Sequence, residues 1–142
     1  MDINSIQQVR SFNRLVAELF DTPGLYWLEH DGLVLKVGQG RRGIGRRLAY
    51  HVVVAFHDIP LPAHRSFSPA WHCFMRALVG RRITVRWQAC PPVAISELDE
   101  LEREAIVEAD PLWERMKHED RVLKAHLERR AAFTAAVASF LA

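Results

Sequence analysis

The 142-residue chain is short of several residues, and each shortage excludes something. It has only two cysteines, Cys73 and Cys90, far apart in sequence. That excludes a disulfide-stapled scaffold; two free thiols of a cytoplasmic protein are the simplest expectation, with a buried pair as the alternative. Apolar runs are short, as from Val52 to Phe56, which excludes a membrane-spanning helix. The first residues, MDINSIQQVR, carry no apolar stretch of the kind a secretory leader needs. Lysine is scarce, three against sixteen arginines. Arginine forks onto phosphate with two hydrogen bonds and lysine does not, although genome base composition produces the same excess. Acid is missing where base is dense. No acidic residue lies between Gly32 and His57, while Lys36, Arg41, Arg42, Arg46 and Arg47 fall within twelve positions.

The net charge of +2 conceals this asymmetry. From Gly32 to Ser96 there are ten basic residues and one acid, Asp58; from Glu97 to Asp120 there are ten acids and three bases. A basic surface for a polyanion is implied. The apolar fraction of 49% supplies a core and excludes disorder, and the length fits one domain over 1–142.

Hydrophobic spacing predicts a helix over 4–20, ended by Thr22-Pro23-Gly24. Strands are predicted over 24–30 and 33–38, a helix from about Gly45 to His57, and another from about Pro69 to Val79. A third strand is expected over Arg82 to Ala89, then a helix from a Ser96 N-cap to about Ala109, stopped by Pro111. One or two helices fill about 113–141, with Met116, Leu123, Leu127, Thr134, Val137 and Leu141 on roughly helical spacing. The class is α+β: a small three-stranded antiparallel sheet flanked by helices, with extra N- and C-terminal helices.

The hairpin register is argued from burial. A three-residue loop, His30-Asp31-Gly32, places Leu25, Trp27, Leu33, Leu35 and Val37 on one core face. Tyr26 then stands directly opposite Lys36 on the other face, a phenol beside an amine at the edge of the arginine loop. In the following helix Arg46 and Tyr50 are one turn apart, flanking an apolar stripe of Leu48, Val52, Ala55 and Phe56. A solvated arginine packed across a tyrosine is the alternative for that pair. His51 reads as surface or packing. The four tryptophans, Trp27, Trp71, Trp87 and Trp113, read as core or core edge. Glu102 falls inside the inward stripe of Leu98, Leu101, Ala105, Ile106 and Ala109. An inward carboxylate is costly without a cation, either a Mg²⁺-type ion or an arginine at the core edge.

In order and spacing, these residues resemble the GIY-YIG nuclease family. Gly24-Leu25-Tyr26 is similar to its first motif, and Lys36-Val37-Gly38 stands where the second belongs. Arg46 follows Lys36 at the spacing of the family's helix arginine, and Tyr50 stands a turn further on. Leu101-Glu102, Ala105-Ile106 and Pro111-Leu112-Trp113 resemble the C-terminal motif. The resemblance covers 24–114 and leaves 1–22 as an N-terminal helix and 113–142 as a helical extension. It departs at Lys36, where the family has Tyr, and at Glu114, where it has Asn.

The resemblance implies an endonuclease that hydrolyses phosphodiester bonds. Tyr26 would be the general base, helped by Lys36, with Arg46 on the scissile phosphate and Tyr50 orienting water or phosphate. Glu102 would hold one Mg²⁺ or Mn²⁺ as the metal ligand. Arg41, Arg42 and Arg47 would position the nucleic-acid backbone, DNA rather than RNA, and the terminal helices offer a homodimer surface. The competing reading is a catalytically inactive nucleic-acid-binding module of the same fold. A third reading takes Gly38-Gln39-Gly40-Arg41-Arg42-Gly43 as a dinucleotide loop, which requires a second, parallel strand after the helix.

Overall fold

Asp31 and Gly32 both have positive φ, 47° and 82°, so the first hairpin closes with a two-residue turn in the geometry that Asp-Gly favours. The computed structural model describes residues 9–56, 69–90, 92–117 and 127–142. Strand β1 is Gly24–His30 and β2 is Leu33–Gly40. His30 pairs with Leu33 and Glu29 with Val34, but Leu28 pairs with Lys36, leaving Leu35 as the extra residue of a bulge. Tyr26 therefore pairs with Gly38, and Trp27 with Val37.

This corrects the three-residue loop and the direct Tyr26–Lys36 pairing. The two side chains do share a face, two pairs apart on the diagonal. The bulge achieves what the longer loop was expected to achieve: it keeps Lys36 off the face of Trp27.

Strand β3, Thr84–Ala89, pairs antiparallel with the other side of β1, giving the order β2-β1-β3. The fold class is α+β, a three-stranded antiparallel sheet flanked by helices. Among the described residues no strand pairs in parallel after the helix that follows β2, so none of them forms the second strand of a dinucleotide unit.

The helices are α1 (Val9–Glu18), α2 (Ile44–Phe56), α3 (Pro69–Leu78), α4 (Leu98–Ala109), α5 (Leu112–Met116) and α6 (Leu127–Leu141). Both faces of the sheet are covered, which corrects the single core face drawn from the hairpin. Tyr26, Leu28 and Leu35 join the main core with α2 and α3, together with Phe133, Val137 and Leu141 of α6. Leu25 packs with Cys90 and Leu98 on the opposite side, bordered by Trp27, Leu101 and Ala105. Leu28, Leu48 and Phe74 expose no surface, and each such side chain contributes roughly 1.5–3 kcal/mol by leaving water.

Other boundaries moved slightly. A 3-10 turn, Pro92–Glu97, precedes α4, so Glu97 rather than Ser96 is its cap residue. At the far end Asp110 turns left-handed at φ 46°, donates its N–H to Ile106 O, and Pro111 prevents continuation. Helix α6 packs on α3, with Leu127 79% exposed at its start; Leu123 lies outside the described residues. Trp71 is core, but Trp87 on the outer strand is exposed. Both cysteines are buried, and neither is in a disulfide. Among the described residues no helix is long and apolar enough to cross a membrane.

Candidate active site

Tyr26 projects from the middle of β1 and lies across Gly38 of β2. A Cβ at position 38 would sit 2.2 Å from the phenol oxygen, so the second motif's glycine makes the room that the first motif's tyrosine occupies. The hydroxyl reaches His51 on α2, 2.5 Å from Nε2. The imidazole meets the edge of Trp71, with centroids 4.9 Å apart.

Tyr26 and His51 are both buried, and burial dominates their titration. It pushes the phenol up, opposed by the charge and hydrogen bonding of Arg47. It pushes His51 well below its ordinary 6.5, and Arg47 and Lys36 act in the same direction. The imidazole is therefore neutral near pH 7. With the imidazole neutral, the phenol can donate its proton to Nε2. The neutral ring then carries its hydrogen on Nδ1, a buried atom with no partner among the described residues.

Lys36 points into the same region, its Nζ 5.6 Å from the centre of the Trp71 ring. Burial lowers its pKa, opposed by the Glu114 and Glu102 carboxylates. Glu102 arrives from α4 and Glu114 from α5, both of which pack along β2, an edge strand of the sheet. Burial raises the Glu102 carboxyl, and Lys36, then Asp99 and Glu114, then Arg47 modify it, the two cations favouring the charged form.

Among the described residues Glu102 makes no ion pair, and no three His, Cys, Asp or Glu side chains gather. One half-buried oxygen donor, with water and substrate phosphate to complete the shell, fits a hard divalent cation.

The structure brings together Tyr26, Lys36 and Glu102, with Arg47 beside them. Arg46 and Tyr50 are elsewhere. One residue along a helix rotates the side chain by about 100°. Arg46 hence turns outward to an ion pair with Asp21, 2.7 Å away, with its guanidinium 4.2 Å from the centre of the Phe20 ring. Tyr50, expected at a sheltered flank, is 45% exposed.

His51 is the residue that sequence reasoning missed. The signal was present: Ile44, Leu48 and His51 share one helical face, and the fully buried Ile44 and Leu48 set the phase that buries His51 with them, while Arg47, one turn before His51, stays exposed at the margin.

Arg41, Arg42, Arg46, Arg47 and Tyr50, with Gln39, Gly40 and Gly43, line a cavity of about 410 Å³ at the start of α2. Three amides where the loop enters the helix are already engaged: Gly43 N–H donates to Gly40 O, Ile44 N–H to Thr22 O, and Gly45 N–H to Leu19 O. Arg41 pairs with Asp99 at 3.0 Å, and Gln39 also donates to Asp99, which ties the loop to the first turn of α4.

No family model matches the chain. No curated protein matches it. Among solved structures it is similar to the GIY-YIG N-terminal endonuclease domain of UvrC from Thermotoga maritima, a point mutant bound to its catalytic divalent cation. The identity is 13%, the match covers 72% of this chain and 93% of that one, and the TM-score is 0.49.

Proposed function

We propose that the chain is a metal-dependent phosphodiester hydrolase acting on nucleic acid, DNA in this reading. The observation that carries it is the gathering of a hydrogen-bonded phenol–imidazole pair, an ammonium, a guanidinium and a carboxylate from four elements, β1, β2, α2 and α4.

Attack of water on phosphorus requires removal of a proton. Tyr26 takes that proton as it gives its own to His51 Nε2. Burial disfavours both the phenolate and the imidazolium, so the relay depends on the charges around the pair as the proton moves. Lys36 and Arg47 favour the phenolate as it forms, and Arg47 also neutralises charge developing on the phosphate. Glu102 would hold the divalent ion, which when bound stabilises negative charge on the leaving oxygen. Arg41, Arg42 and Arg46 contact the backbone beyond the scissile bond.

One observation favours the inactive binding module. Tyr26 is only 1% exposed, so water reaches its oxygen only if substrate or side chains rearrange. Incubating plasmid with the protein and Mg²⁺ or Mn²⁺ separates the readings. Nicking by the wild type that disappears in Tyr26→Phe and Glu102→Gln supports the hydrolase. Wild type that never nicks DNA or RNA, and equals both variants, leaves the binding module.

A further inference from the structure

We infer that the cavity at the start of α2 is a nucleotide subsite for single-stranded polynucleotide, with phosphate on Arg42 and Arg46 and an unstacked base against Tyr50. The inference deepens the nuclease reading and rests on it for the identity of the polymer.

The volume, about 410 Å³, lies in the range of sites that enclose a small molecule rather than a flat groove. A duplex keeps its bases paired and stacked inside, so only its backbone can approach a concavity. A single strand can insert a whole nucleotide. The walls carry four arginines and no acid. Arg41 and Arg46 are engaged by Asp99 and Asp21, but both aspartates are mostly exposed. Ion pairs of that kind contribute little and exchange readily for phosphate. Among the described residues no carboxylate pairs with Arg42.

Tyr50 supplies what a backbone groove does not need, an aromatic side chain that is 45% exposed and one turn from Arg46. Cationic groups interleaved with an aromatic platform are the means by which single strands are held without sequence preference. Arg47 is shared by this cavity and the Tyr26–His51 pair, which makes the subsite neighbour to the scissile phosphate.

The test is fluorescence anisotropy in EDTA, with a labelled oligothymidylate and with the same strand annealed to its complement. The single strand is expected to bind more tightly. Tyr50→Ala should weaken single-strand binding by about fivefold or more and duplex binding by less than about twofold, with Tyr50→Phe retaining affinity. Arg42→Ala should lower the slope of log affinity against log salt by about 0.7. Thermal melting establishes that each variant is folded. Duplex binding equal to or tighter than single-strand binding, or a Tyr50→Ala variant that binds both as the wild type does, overturns the subsite. Absence of cleavage with single-strand preference intact overturns the hydrolase and supports the subsite. Absence of any polynucleotide binding at low salt overturns both.

Discussion

The Tyr26 hydroxyl and His51 Nε2, 25 residues apart in sequence, are 2.5 Å apart inside the protein, and neither side chain exposes more than 2% of its surface. In the proposed mechanism this phenol–imidazole hydrogen bond is the proton relay. His51→Ala should lower kcat of the metal-activated reaction by about 10²–10⁴-fold, the usual worth of a positioned acid–base group. Single-turnover kinetics on a nicked-plasmid assay checks it; an unchanged rate removes His51 from the chemistry.

The two neighbouring arginines should separate cleanly. Arg47 faces Tyr26 and Glu102, so Arg47→Ala should cost about 10²–10³-fold in kcat, as loss of one preorganised charge donor does. Arg46 points to Asp21 and Phe20, so Arg46→Ala should act mainly on KM, by less than about tenfold. The reverse order would restore Arg46 to the catalytic role that its spacing from Lys36 implies.

Gly38→Ala tests the packing that holds the phenol. The new Cβ would lie 2.2 Å from the hydroxyl oxygen and 2.4 Å from the ring carbon that bears it, so the ring must move. Overpacking of this sort costs about 1–3 kcal/mol, and kcat should fall with it because the hydroxyl leaves His51. A variant with wild-type melting temperature and rate would contradict the close approach.

Stability should depend on pH through His51. Its folded pKa is depressed below the ordinary 6.5, so the unfolded chain binds the proton first as pH falls. The stabilisation is complete above about 6.5 and is lost progressively as pH drops below it. Melting temperatures between about pH 8 and pH 5 should decline for wild type and decline less for His51→Phe. Parallel curves would show that other groups govern the window.

Glu102→Gln should split stability from activity. Burial raises this carboxyl, so ionising it at neutral pH costs stability, and the neutral isostere should melt at the same temperature or higher. Activity should vanish, and titration of Mn²⁺ into the variant should give weaker binding than wild type by calorimetry. A variant that cleaves normally would exclude Glu102 as the metal ligand.

Much of the fold was legible in local pattern. Periodicity located the helices and strands, Asp31-Gly32 marked the hairpin turn, Pro111 marked the end of α4, and the scarcity of acid before His57 marked the basic loop. These are decided by neighbours within a turn or two of chain, which is the range over which backbone sterics, turn chemistry and apolar spacing act. The same pattern placed Tyr26 and Lys36 on one face and Glu102 on an inward stripe.

Tertiary structure decided what those side chains meet. The bulge at Leu35 selected the partner of Tyr26, and the packing of Ile44 and Leu48 against the core buried His51 and left Tyr50 exposed. One position on a helix, about 100° of rotation, separates a buried proton acceptor from an exposed aromatic wall, and spacing counted along the chain carries that much error whenever a loop intervenes. Proton affinity follows from enclosure: removal from water holds His51 neutral and the Tyr26 phenol protonated, with Arg47 reinforcing the first and opposing the second, conditions that exist only once α2 is packed across the sheet.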